Sequence, residues 1–415
     1  MRVSLNTLID KVVWLLTVFL LTIFLVFQDR VWGRYAFLGI SALIALLAAV
    51  NNGGILRVRL QAYHGFLLLF VVYMAINSLW AWVPADTISK TKTVAQILLC
   101  SAALYIYYQD KDDMHSLFLA VMWAGHFVTL YTILFYGLDY LTSIVGEERL
   151  GTEFANVNSV GMVAALACVL QVNELMHKRN IWATVMIIPA VMIIAASQSR
   201  KALIFLIAGV FCMYIVNTVV RNGNFKSFLK IACFVLVAIV GLRIILQLPM
   251  FSGVLERVDS MLAYWTDPDE ADGSTMFRQQ MIEVGITWFK KYPIGGMGIA
   301  CPHVLCWEYV GKDSYLHNNF VELLCGGGIL GFATYYAIYV YLFASLFKYR
   351  HADHELFAVG LVWLGLMLFM NYGMVTYYTK LQWYYLMFHC LNVNCLKKKH
   401  REMLQNAEKT AQSGA

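Results

Sequence analysis

The residues of this chain that most invite chemistry stand in Asp313-Ser314-Tyr315-Leu316-His317-Asn318-Asn319. An imidazole titrates near neutrality, so His317 can take a proton from a hydroxyl, and Asp313, four residues earlier, would orient its ring if the segment is helical. A lone loop histidine is more often inert, so the reading needs partners. Ser197-Gln198-Ser199-Arg200-Lys201 puts two cations into a tight turn between apolar runs. Facing inward from a helix end, Arg200 would grip a phosphate or pyrophosphate in bidentate fashion; snorkelling to lipid phosphates is the alternative. Arg278 is open to the same two readings. Gly295, Gly296 and Gly298 either bring backbone N–H groups up to an anion or form a plain turn. Glu322 falls in the first turn of an apolar run, where a carboxylate is costly unless it pairs with an arginine or lines a hydrated cavity.

Composition decides what must position these groups. With 60% hydrophobic and 13% charged residues in 415, against roughly a quarter charged in soluble domains, a water-soluble fold is excluded. The apolar runs are continuous and not alternating, which argues against a β-barrel and for an all-α polytopic membrane protein. Runs of membrane-spanning length predict about twelve transmembrane helices near 12–28, 35–50, 65–82, 93–108, 116–136, 155–172, 181–196, 202–220, 229–248, 319–347, 357–375 and 378–395. The first run lacks a small-residue cleavage site after it and reads as a retained helix.

An even number of spans puts both termini on one side. With that side cytoplasmic, the inside loops hold about twice as many Lys and Arg as the short outside loops, as the positive-inside bias requires. The predicted organisation is nine helices over 1–248, an extracytoplasmic loop over 249–318, three helices over 319–396 and a cytoplasmic tail over 397–415. The net charge of +6 is then spread over topology determinants and gives no reason to expect nucleic acid. Cys301 and Cys306 lie in the loop, where a disulfide and two unpaired thiols are both compatible with the sequence.

Loops of this length are functional or disordered, and this one is not low-complexity. Phe277, Met281, Val284 and Trp288 form the stripe of an amphipathic helix over Met276 to Lys291, capped by Ser274 or Thr275 and ended by Pro293 and Gly295, on the membrane surface or over a cavity. The run from Asn319 to Phe347 is about 43 Å long at 1.5 Å per residue, and Gly326-Gly327-Gly328 is where it should bend or pack closely. Asp267-Pro268-Asp269 reads as a loop turn and not a metal pair.

Taken in order, Arg149-Leu150-Gly151-Thr152-Glu153-Phe154 with Asn156 and Asn158, Ser197 to Arg200, Arg278 with Trp288, Pro293, Gly296 and Gly298, then His317-Asn318 with Glu322 and Gly328, resemble the O-antigen ligase and polymerase superfamily. Motif detail covers roughly residues 145 to 335. Glu153 departs from a commonly continuous Gly-Thr-Phe. The resemblance implies a metal-independent, cofactor-free, inverting glycosyltransferase of the type C class. Such an enzyme moves glycan from an undecaprenyl pyrophosphate carrier to an acceptor outside the inner membrane, among membrane lipids and other polysaccharide assembly proteins. Carried over, Arg200 and Arg278 would neutralise the diphosphate and His317 would be the base. Arg149, Asn156, Asn158, Lys201, Gly296, Gly298, Asn318 and Glu322 would line the substrate. Polymerases outnumber ligases in the superfamily, so polymerisation of repeat units is the expectation, transfer to lipid A core or protein the alternative. A transporter, from a different class, is disfavoured by the lack of paired repeats.

Overall fold

Each apolar run predicted as a span forms a helix. The computed structural model describes residues 5–27, 30–56, 59–144, 148–151, 153, 155–222, 225–266 and 273–413, and among these there is no strand. The first half comprises α1 (Leu5–Val26), α2 (Val31–Asn51), α3 (Ala62–Asn77), α4 (Pro84–Tyr108), α5 (Met114–Tyr136), the short α6 (Leu138–Ile144) and α7 (Val157–Met176). A 3-10 turn, Ile181–Met186, leads into α8 (Ile187–Ala196), followed by α9 (Arg200–Asn222) and α10 (Phe225–Leu246). The long loop contains α11 (Ser252–Thr266), α12 (Gly273–Lys291) and α13 (His303–Val310), and the chain ends in α14 (Asn319–Lys348), α15 (His354–Met370) and α16 (Lys380–Ser413). Asp267–Asp269, Thr152 and Phe154 lie outside the described residues.

Among the described residues, length and composition single out seven helices able to cross a membrane, α1, α2, α5, α7, α9, α10 and α14; α3, 181–196 and α15 are shorter apolar helices. This is an integral membrane protein of polytopic, all-helical build. The difference from twelve has a local cause at two helices. The first turns of α4 carry Asp86, Lys90 and Lys92, and α16 runs on as one helix through Lys397-Lys398-Lys399 to Ser413. The stretch expected as a separate tail is therefore helical, and it is tied to the bundle where Lys398 pairs with Asp112 and Lys399 with Asp353.

The feature that sets the geometry of the opposite end is a break in α14. Gly328 has φ 59° and ψ −165°, which interrupts the helix. A broken helix frees backbone groups that must find partners wherever water is scarce, and here the segment after α12 supplies them. The N–H groups of Met297 and Gly298 donate to the carbonyls of Cys325 and Gly326 at 3.0 and 2.8 Å, while Ile329 and Leu330 donate to Pro293 and Ile294 at 2.8 and 3.2 Å. From the other side Asn77 binds twice, its Nδ2 donating to Gly295 O (2.8 Å) and its Oδ1 accepting from Ile299 N (2.6 Å), and Thr87 Oγ1 donates to Ile299 O at 2.7 Å. Residues 293–299 are thus a plug between α3, α4 and the α14 break.

The amphipathic helix predicted over 276–291 is present as α12, and its stripe faces protein. Met281 is fully buried in a cluster with Met297, Leu305, Leu316 and Val321, with Phe277, Val284 and Trp288 at its edge. Cys301 and Cys306 are buried free thiols in the same cluster.

A Cβ at position 328 would lie 2.3 Å from Ile294 O, on a backbone that L side chains rarely adopt. Gly328→Ala should destabilise the protein by about 2–4 kcal/mol. Gly365→Ala, on helical α15 with nothing within 4 Å, should be neutral or stabilising by up to about 1 kcal/mol. Thermal unfolding of both variants in one detergent checks the contrast, and equal melting temperatures would show that the break is not rigid.

Candidate active site

Four separate stretches of chain are folded against one another at the end of the bundle where α14 begins. Arg149 lies between α6 and α7, and its Nε donates to Ser197 O at 3.0 Å while a terminal nitrogen donates to Asn158 Oδ1 at 2.8 Å. Leu150 N donates to Ala196 O and Gln198 Nε2 to Glu148 O, so this stretch lies along the 196–198 turn. The turn itself is fixed by Ser199, whose Oγ accepts from Ala202 N at the start of α9. Asn156 performs the same service for α7, accepting from Asn158 N at 3.0 Å.

Arg200 opens α9 and is 6% exposed. Its Nη1 donates to Arg257 O at 2.6 Å and to Thr275 Oγ1 at 3.2 Å, which draws α11 and α12 over the end of α9. Lys201 reaches the other way and donates to Gly373 O between α15 and α16. Arg278, on α12, sits among these groups. Burial, followed by the charges of Arg257, Arg278 and Arg200, holds the Arg149 guanidinium down to about 10. Arg149, Arg200, Lys201 and Arg278 thus belong to one cationic cluster, with Arg257 as a member that the sequence did not single out.

His317 faces this cluster. Its backbone takes the left-handed conformation, φ 56°, which histidine tolerates better than most residues but which is held here by its surroundings. The ring stacks at a tilt on Tyr315, centroids 4.3 Å apart, and meets the edge of Phe277 at 6.1 Å. The segment is not helical, and the polar partner of Nε2 is Ser314 Oγ at 3.2 Å and not Asp313. Burial first, then the charges of Arg278, Lys201 and Lys312, push the imidazole down to about 3, so it is neutral at physiological pH.

The remaining predicted residues have structural engagements. Asn318 caps α14 by accepting from Phe320 N and Val321 N at 3.0 and 3.2 Å. Glu322 neither pairs with an arginine nor lines open water: it is 3% exposed and its Oε2 accepts from Leu316 N at 2.8 Å, closing the turn that carries His317. The N–H groups of Gly296 and Gly298 donate to Tyr292 O and Gly326 O and so are spent within the plug, not on an anion. Gly285 was missed by sequence reasoning. A Cβ there would come within 2.6 Å of Leu316 and Val321, so it sets the closeness of α12 to the His317 turn. Its only signal was a glycine beside the apolar stripe, one turn after Met281.

A cluster of this sign, built from two helices, a turn and a loop, should bind a polyvalent anion. Inorganic diphosphate at a hundredfold excess over its dissociation constant should stabilise the protein by about 2.7 kcal/mol. Arg149→Gln with Arg278→Gln should erase the gain, while chloride at matched ionic strength should leave the melting temperature unchanged. A thermal-shift titration reads this directly; diphosphate behaving like chloride would contradict it.

Residues 183–336 match the family model described as O-Antigen ligase. No curated protein matches the chain. The matched stretch contains Arg200, Arg257, Arg278, His317 and the α14 break, and its boundaries enclose α11, α12 and α13. Over this stretch the chain is similar to the O-antigen ligase/polymerase superfamily.

Proposed function

We propose that this protein transfers glycan from an undecaprenyl pyrophosphate carrier to an acceptor hydroxyl on the outer face of the inner membrane, and that it polymerises polysaccharide repeat units. The observation that carries the reading is the placement of a neutral, half-buried imidazole against a cluster of four arginines and a lysine. Both termini are then cytoplasmic and the His317 end extracytoplasmic, in line with the distribution of Lys and Arg. All twelve apolar helices span, with 249–318 as the outer loop.

In the proposed step the acceptor oxygen attacks the anomeric carbon from the face opposite the diphosphate. The new glycosidic C–O bond forms as the bond to the diphosphate oxygen breaks, with inversion, and the departing oxygen takes the electron pair. The hydroxyl proton passes to His317. In the tautomer whose Nε2–H donates to Ser314, Nδ1 carries the lone pair that receives it. Arg200, Arg278 and Arg149 neutralise the charge that grows on the diphosphate, a preorganised electrostatic effect that supplies what a metal supplies elsewhere. Glu322 and Asn318 act on the base indirectly, by fixing its turn.

His317→Ala should lower the transfer rate by about 10²–10⁴-fold and Arg278→Ala by about 10²–10³-fold at unchanged protein level. A surface glycan ladder collapsing to single repeats marks a polymerase, and polymer left on the carrier marks a ligase. Normal long chains from a well-expressed His317→Ala protein would sink the base assignment.

The pH profile gives a separate test. The folded pKa of His317 lies below its ordinary value, so the base form persists as pH falls through about 6.5, and kcat/KM, which reports the free enzyme, should show no histidine limb there. Stability has the same sign: the unfolded chain binds the proton first, so stability is lost on acidification below about 6.5. Arg278→Gln removes the first-named charge and should move the acid limb upward. A wild-type limb near 6.5 would place the base elsewhere.

A further inference from the structure

The proposed step draws on α12 through Arg278 and Phe277 and gives the rest of that helix's exposed edge no role. Gln280, Glu283, Thr287 and Trp288 follow one another at helical spacing along this edge, and with Tyr309 of α13 they wall a groove of about 310 Å³. Gln280, Glu283, Thr287 and Tyr309 are all exposed, so the groove opens outward. Both of its walls lead to the His317 turn. α13 stops at Gly311, where φ is 72° and the N–H donates to Trp307 O at 3.0 Å, and the chain reaches His317 six residues later. On α12, Gln280 and Trp288 lie roughly 5 and 17 Å along the axis from Phe277, at 1.5 Å per residue, and the Phe277 ring is the one that meets His317.

The groove is lined by hydrogen-bonding groups and aromatic rings. Glu283 Oε1 accepts from Gln279 Nε2 at 3.1 Å and Thr287 Oγ1 donates to Glu283 O at 2.8 Å. Glu283 Oε2, the Gln280 amide and the Tyr309 hydroxyl have no protein partner among the described residues. Trp288 is a fixed wall, with the Lys291 ammonium over its ring at 3.8 Å and the rings of Trp82 and Tyr292 at 4.7 and 6.0 Å. Tyr309 is 53% exposed and makes no ring contact among the described residues, which leaves its faces open. A carboxylate, an amide and two hydroxyls around aromatic surfaces match a ring with apolar C–H faces and a rim of hydroxyls, which is a sugar. The carboxylate repels the phosphates that suit the arginine cluster, and no lysine or arginine lines the groove among the described residues. An aliphatic chain would bury Glu283 and Gln280 without partners. The volume stands at the lower end of ligand-sized pockets, roughly 300–1,000 Å³, which is room for one or two sugar rings.

We propose that the groove between α12 and α13 is a saccharide-binding site separate from the transfer site, and that it holds sugar units of the growing glycan remote from the reacting end. This rests on the glycosyl-transfer reading and deepens it. A glycan held there remains beside the base between transfers, at an effective concentration above that of free chains. The groove thereby sets the length of the product.

The test uses the full chain purified in detergent, with a four-repeat oligosaccharide cut from the surface polysaccharide of the cells that make this protein as probe and calorimetric titration as readout. The wild type should bind it, and Tyr309→Ala with Glu283→Gln should raise Kd about tenfold or more. His317→Ala should bind as the wild type does, since the groove does not need the base. Trp307→Ala, 65% exposed on the same helix and outside the groove wall, should also bind normally. Equal weakening by Trp307→Ala would assign the aromatics of α13 to the membrane interface and overturn the site, as would undiminished affinity in the double variant. In a transfer assay the double variant should lower the ratio of rates on carrier-linked glycans of four repeats and of one about tenfold, and shorten the modal surface chain about twofold or more. An unchanged ratio and ladder would overturn the length-setting role. A wild type that binds the oligosaccharide but transfers nothing would overturn glycosyl transfer and leave the groove a saccharide site, whereas full transfer without oligosaccharide affinity would overturn the groove alone. Thr287→Trp, which fills the groove from α12, must reproduce the loss of affinity if the double variant fails to fold.

Discussion

The plug of residues 293–299 in the broken α14 is the contact on which the rest of this end of the molecule depends. A helix interrupted at Gly328 leaves backbone donors and acceptors without their usual partners, and in a membrane protein each such group carries a cost of several kcal/mol if unpaired. Four backbone hydrogen bonds from the loop satisfy them, and Asn77 and Thr87 hold the loop from behind. Because the plug directly follows α12, its position fixes the end of the helix that bears Arg278. Because it grips α14 about two to three turns below Asn319, it also fixes the start of the helix behind His317. A single backbone exchange therefore sets both sides of the site.

The second constraint is electrostatic. Bringing Arg149, Arg200, Arg257, Arg278 and Lys201 together costs free energy in the folded protein, as the depressed Arg149 shows. Such an arrangement persists where the scaffold over-determines it, and three members have backbone or side-chain anchors: Ser197 and Asn158 for Arg149, the Arg257 carbonyl and Thr275 for Arg200, the Gly373 carbonyl for Lys201. The same field keeps His317 neutral. An anion entering the cluster relieves the repulsion and at the same time raises the proton affinity of the imidazole, so binding and base strength are coupled through charge alone.

Much of the scaffold was legible from hydropathy, because a bilayer span must be long, apolar and helical. The stripe Phe277, Met281, Val284, Trp288 correctly gave α12, and the glycine run correctly marked the bend in α14. The side that the stripe faces was not legible, since an amphipathic helix covers a protein core and a lipid surface with the same pattern. Glu322 and Asn318 entered as substrate residues through the resemblance, and the structural use of each was not legible, since a carboxylate and an amide at a helix start also serve backbone N–H groups. Gly296 and Gly298 were ambiguous for a similar reason: close backbone approach is needed for an anion and for another backbone alike. Arg257 carried no local signal, because its membership depends on α11 folding back over α9.

The placement of His317 explains why no single segment of this chain could be recognised as a site. The His317 turn is closed by Glu322 and Asn318 from α14, the ring is held by Phe277 from α12, and the charges that keep it neutral come from α12, the first turn of α9 and Lys312. Each contributor is an ordinary feature by itself: a cap, an apolar stripe, a basic turn. Their convergence requires the loop to be anchored at two points, through Arg200 to α11 and α12 and through the plug to α14. A loop tied at only one of these would leave the imidazole or the arginines free to move apart. The double anchoring keeps the imidazole of His317 and the arginine cluster in register.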